Sequence, residues 1–170
     1  MYILFSQRIK GGGGVTAIEV MVRQLQRAEL AHCTSCACSN LRKVTRAVTQ
    51  LYDEMLRPAG LRATQFSLLV AVRMAGSVGV TRLAELTVMD RTTLTRNLEL
   101  LQKQGLIEVI PGADRRSRIV TITAEGNVAI ARALPFWKKA QSHVVNSLGQ
   151  ERWADMLTDL RELVVLTNTK

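Results

Sequence analysis

Residues 80–123 can be read as an amphipathic helix, a turn, a second amphipathic helix, and two short strands joined by an arginine-rich loop. Long helical patterns flank this stretch on both sides, and aromatic residues make up only 4% of the chain, so aliphatic helix faces must supply most of the core. The fold class predicted is mainly α with a small β-hairpin wing.

The elements follow in order. Residues 1–32 look unlike the rest and are expected to form a mobile N-terminal extension. The apolar run at 1–5 is too short for a signal peptide, glycines at 11–14 break the chain, and Met21 is a plausible true start, with the residues before it read as an arm or as upstream sequence. From Leu41 the residues Val44, Val48, Leu51 and Met55 trace one face of a long helix, which Pro58-Ala59-Gly60 stops. Residues 64–75 are nearly all apolar and predict a helix buried on most sides, and residues 76–79 are a turn.

In the short helix that follows, Leu83, Ala84 and Leu86 are expected to face inward. Asp90 can cap the next helix by accepting the free N–H groups of its first turn. Leu94, Leu98 and Leu101 give that helix one buried face and leave Arg91, Thr92, Thr95 and Arg96 on the other. Gly105 ends it, residues 106–110 and 119–123 read as strands, and 112–118 form the loop between them. Thr123 can cap a long helix over 124–148, which Pro135 should kink and Gly149 should end. The last helix, 151–167, carries a stripe of Trp153, Met156, Leu157, Leu160, Leu163 and Val164.

This order is that of a winged helix-turn-helix with N- and C-terminal dimerisation helices. Residues 33–61 and 124–170 would form the dimerisation region, and 62–123 the DNA-binding region. A helix whose first turns offer hydroxyl and guanidinium groups suits a major groove, and a loop with Arg115, Arg116 and Arg118 suits the adjacent minor groove. A net charge of +9 and a pI near 10.2 favour a polyanionic partner. No apolar run approaches the roughly 20 residues a membrane span requires. No HExxH, GxSxG or Walker-type motif is present, so the chain is not expected to be an enzyme.

At this point the chain resembles the MarR family of bacterial transcriptional regulators over roughly residues 38–167. The resemblance is most specific in Asp114-Arg115-Arg116-Ser117-Arg118 followed by Val120-Thr121-Ile122-Thr123-Ala124-Glu125-Gly126. It continues in Asp90-Arg91-Thr92-Thr93-Leu94-Thr95-Arg96 with Gly105-Leu106-Ile107, and in the approach from Leu51-Tyr52-Asp53 through Gly60-Leu61 to Gln65-Phe66. It implies a cytoplasmic homodimer that binds a pseudo-palindromic operator in double-stranded DNA, commonly as a repressor released by a small molecule. Under the resemblance Arg116 enters the minor groove, Asp114 holds the wing in shape, and Thr92, Thr93, Thr95 and Arg96 face the major groove or its phosphates. Arg115 and Arg118 would touch backbone. No cofactor is required; a small aromatic or phenolic effector could sit near Tyr52, Phe136 and Trp137, residues that could equally serve packing.

All three cysteines, Cys33, Cys36 and Cys38, lie within six positions. They can be read as small semi-buried residues at a helix start, as a redox sensor favoured by the helix N-terminus, or as soft-metal ligands with His32. Cys38 precedes Tyr52 by fourteen residues, similar to the spacing in the organic-hydroperoxide branch of the family. That branch has a second tyrosine where this chain has Arg42. A small cysteine-dependent enzyme, and a winged helix used for protein contact, are rival readings.

Overall fold

The computed structural model describes residues 16–18, 30–112, 114 and 117–168. The glycine break at 11–14, Met21 and most of the expected arm lie outside them, as do Arg115 and Arg116. The chain splits into two compact units, Met1–Thr45 and Arg46–Lys170.

In the first unit a short 3-10 helix (His32–Ser35) leads to α1 (Ala37–Leu56), which ends in the second. The helix starts ahead of its apolar stripe. Polar contacts account for this: the Asn40 side-chain amide donates to the carbonyls of Thr34 (2.8 Å) and Cys36 (2.9 Å), tying the first turn together.

In the second unit α1 runs into a 3-10 turn, Arg57–Ala59, closed by Gly60 in the left-handed region (φ 75°). Then follow α2 (Ala63–Ala75), β1 (Val78–Gly79), α3 (Val80–Thr87), α4 (Arg91–Lys103), β2 (Ile107–Pro111), β3 (Arg118–Ile122), α5 (Ala124–Leu148) and α6 (Gln150–Asn168). The strands form an antiparallel sheet in the order β1-β3-β2, with Val109 and Val78 both opposite Val120. Sequence periodicity suggested a two-stranded hairpin. The third strand is only Val78–Gly79, too short to show any alternation. Strand β3 stops at Ile122, one residue short of its expected end, and Thr123 caps α5 as the sequence suggests.

One core unites these elements. Leu56, Leu68, Leu69, Leu83, Leu94, Leu101, Ile107 and Val120 are all essentially inaccessible. Each such side chain contributes about 1.5–3 kcal/mol of transfer free energy. As expected, α4 buries Leu94, Leu98 and Leu101 and exposes its other side. Leu86 departs from expectation: it lies in the last turn of α3, where the chain reverses, and is half exposed. Along α6, Trp153, Met156, Leu157 and Leu160 are half-buried, whereas Leu163 and Val164 are exposed.

The turn between α3 and α4 is made at Val88, the one non-glycine among the described residues with positive φ (52°). The Val88 and Met89 N–H groups donate to the Glu85 and Ala84 carbonyls, which closes the turn. A β-branched side chain in this region is strained by about 1–2 kcal/mol, and Val88 is too exposed to recover that through packing. Val88→Gly is therefore expected to raise the unfolding free energy by roughly 1 kcal/mol, measured from the urea midpoint.

Asp90 caps α4 as the sequence suggests, accepting from the Thr93 N–H at 2.9 Å. Hydrogen bonding from Thr93, through its side chain first and then its backbone, holds the Asp90 carboxyl below its ordinary value. A carboxyl more acidic in the folded state stabilises the fold above the ordinary carboxylate range and loses that contribution as pH falls through its lowered value. Asp90→Ala should thus lower the melting temperature at pH 7, with the difference from wild type shrinking in melts at pH 3.

Candidate nucleic-acid interface

The leucine face of α4 is turned into the core, so its polar face must point outward, and Arg91, Thr92, Thr93, Thr95 and Arg96 are all exposed. Arg91 and Thr95, one turn apart, lie on the same side of the helix. There they line a cleft of about 530 Å³ whose walls also include Arg82 and Glu99 from the helices and Ser117 and Arg118 from the base of the wing. Residues far apart in sequence are thereby gathered beside an exposed helix start.

Hydrogen bonding sets what each α4 side chain can offer. The Thr95 hydroxyl donates to the Arg91 carbonyl (2.8 Å), which leaves its oxygen lone pairs to accept from a base amino group. The Asn97 amide donates to the Thr93 carbonyl (2.8 Å). Thr93 also serves the Asp90 cap, so a role toward DNA would share that hydroxyl with the helix start.

The described part of the wing is tightly turned. The Gly112 N–H donates to the Ser117 carbonyl (2.9 Å), and both the Ser117 N–H and its hydroxyl donate to the Asp114 carbonyl (2.8 Å each). A Cβ on Gly112 would meet the Ser117 hydroxyl, which would have to turn aside and give up its bond to Asp114. Asp114 holds the loop through its backbone carbonyl. Arg118 opens β3 and is exposed.

Arg82 was missed by sequence reasoning. It opens α3 beside the cleft, paired with Glu85 at 2.9 Å. Only the approach of α3 to α4 and the wing reveals it; no spacing in the chain does.

A smaller cleft, about 280 Å³, lies between α1, α2 and α5, lined by Tyr52, Phe66, Met89 and Trp137 among others. Trp137 stacks on Phe66 with ring centroids 6.1 Å apart. The Tyr52 hydroxyl donates to the Gln141 side-chain oxygen at 2.5 Å, and burial raises its pKa above the ordinary tyrosine value. Of the three residues expected at an effector site, Tyr52 and Trp137 meet here. Phe136 instead packs against the core and does not line the cleft. Met89, just before the Asp90 cap, is a further lining residue that its sequence position did not suggest.

Cys33, Cys36 and Cys38 all carry free, exposed thiols. Cys33 lies in the 3-10 helix, Cys36 ends it, and Cys38 sits in the first turn of α1. Among the described residues, no three His, Cys, Asp or Glu side chains converge as metal ligands. Nor, among those residues, is any helix long and apolar enough to cross a membrane.

Known proteins share this arrangement. A family model described as MarR family matches residues 59–117. The structure of the M. tuberculosis transcriptional regulator MosR in complex with DNA is 36% identical, with a TM-score of 0.70, covering 79% of this chain and 99% of that one. The multiple antibiotic resistance protein MarR of Salmonella typhimurium is 33% identical over 84 residues, 49% of this chain and 58% of that protein. A mutant of MarR from E. coli complexed with operator DNA shares the fold at 23% identity, with a TM-score of 0.67, covering 74% of this chain and 91% of that one. With a capped recognition helix and a wing in place, and a regulator of 36% identity matched over nearly its whole length, the chain belongs to the MarR family.

Proposed function

We propose that the protein is a sequence-specific regulator of transcription that binds duplex DNA as a homodimer and acts as a repressor in the cytoplasm. One observation carries this reading: Arg91 and Thr95 of the recognition helix share a cleft with Arg118 at the wing, beside a helix start that is capped and exposed. The complex of MosR with DNA supports it by analogy. Helix α4 enters the major groove, where Thr92, Thr93, Thr95 and Arg96 meet base edges or phosphates, while Arg115, Arg116 and Arg118 act from the wing. Residues 33–61 and 124–170 supply the dimer contact. Exposed apolar side chains on those helices, among them Leu41, Val44, Val128 and Leu134, offer the surface for a second copy. The basic interface and the regulators matched leave no reason to assign catalysis.

Relief by a small aromatic or phenolic molecule fits the cleft lined by Tyr52, Phe66, Met89 and Trp137. A ring entering there presses on Met89, whose neighbour Asp90 caps the recognition helix. A ligand that prefers the displaced arrangement draws the population away from the DNA-bound state. The exposed thiols of Cys33, Cys36 and Cys38 favour an oxidant as a second kind of signal.

Fluorescence anisotropy with duplexes enriched from a randomised library tests the main reading. The wild type should bind an enriched duplex well above a scrambled one; equal affinity for both overturns sequence-specific binding. Arg116→Ala should weaken binding to every duplex and reduce the slope of log affinity against log salt by about one. Arg96→Ala should shift sequence preference if that guanidinium reads a base, and lower affinity uniformly if it meets only phosphate. Small aromatic acids should release the duplex and quench tryptophan emission in the wild type but not release it from Trp137→Ala. Release by peroxide with loss of countable thiols would assign the signal to the cysteines instead.

A further inference from the structure

The exit of the recognition helix and the entry of α5 are joined at one side chain. The Thr123 hydroxyl donates to the Gly105 carbonyl at 2.7 Å and accepts from the Gly126 N–H at 3.0 Å. The Thr123 backbone N–H donates to the Leu106 carbonyl at 3.2 Å. The first turn of α5 is also pressed on the same backbone: a Cβ on Gly126 would overlap the Leu106 carbonyl oxygen and the Ile122 side chain. Two hydrogen bonds, to Gly105 and Leu106, and a glycine-only contact thus fasten the chain just after α4 to the start of α5, where the third bond forms the cap. An ordinary N-cap needs only the acceptance from Gly126. The donation to Gly105 is additional, and it reaches across eighteen residues of chain.

We propose that Thr123 is a positioning residue for DNA reading, a latch that sets the orientation of the recognition helix relative to α5. This rests on the regulator reading given above and names how that same site is aligned. Base contacts tolerate little misplacement, because paired donors and acceptors must face a particular base edge. Phosphate contacts fix position without reading sequence and persist through small rotations. A loosened latch therefore reduces discrimination between sequences more than it reduces general affinity. It also gives a route by which a tilt of α5 reaches the DNA-binding surface: Gly105 directly follows the C-cap residue of α4.

The test separates the latch from the cap. Thr123→Ser keeps both functions. Thr123→Asp keeps an acceptor for the Gly126 N–H but has no proton to give the Gly105 carbonyl at neutral pH. Thr123→Val removes both. For each full-length variant, affinity is measured at one salt concentration for a duplex enriched by the wild-type protein and for a scrambled duplex of equal length. The ratio of the two affinities cancels any uniform effect of the added carboxylate. The ratio should fall by about tenfold in Thr123→Asp and Thr123→Val and stay at the wild-type value in Thr123→Ser. A wild-type ratio in Thr123→Asp would overturn the latch and leave only a cap. Should Thr123→Val fail to fold, the Asp and Ser variants still decide the matter. A wild-type protein that does not distinguish the two duplexes would instead sink the regulator reading itself.

Discussion

Burial of Leu94, Leu98 and Leu101 is the constraint on which the DNA-binding surface depends. The three occupy one face of α4 and are almost wholly withdrawn from solvent. Rotating the helix by a quarter turn would expose part of that row and drive guanidinium groups into an aliphatic core. The first change forfeits a few kcal/mol of transfer free energy, and the second strands charge without a partner. The outward direction of Arg91, Thr92, Thr95 and Arg96 is therefore a consequence of where the leucines go. No polar contact has to pull those side chains outward.

This is why so much of the interface was legible in the sequence. The leucine spacing, the Asp90 cap, the Gly105 exit and the arginine-rich loop are local signals, each carried by a few adjacent residues, and the structure places the first three as expected. What the sequence left dark depends on distant partners. Strand β1 exists because Val78 finds Val120, and two residues carry no periodicity of their own. Arg82 joins the interface only because α3 packs beside α4 and the wing. The aromatic cleft was half visible: Tyr52 and Trp137 converge, but Phe136 and Trp137 are adjacent in the chain, so a helix directs them differently. Arg115 and Arg116 lie outside the described residues, so the roles proposed for them rest on the sequence resemblance.

The two ends of α4 are held in different ways, and the difference bears on control. Its start depends on a charged cap, Asp90, directly after Met89, which reaches the aromatic cleft, and after a turn strained at Val88. Strain of that kind brings alternative turn geometries closer in energy, since leaving the left-handed region recovers part of its cost. Its end is instead held by neutral hydrogen bonds from Thr123 to the Gly105 and Leu106 carbonyls and by a contact too close for any side chain at Gly126. A disturbance entering at Met89 thus meets a yielding end first.

The firm end then acts as a pivot. A displacement at the helix start, with the exit held to α5, becomes a rotation about Gly105, and the residues moved farthest are those in the first turns. Those are Arg91, Thr92, Thr93 and Thr95, the exposed side chains proposed above to meet the groove. A helix loose at both ends would let the same disturbance dissipate as translation or fraying. Fastening one end therefore makes the other responsive, and it is physically consistent that the aromatic cleft borders the end where motion has the largest effect on base contact.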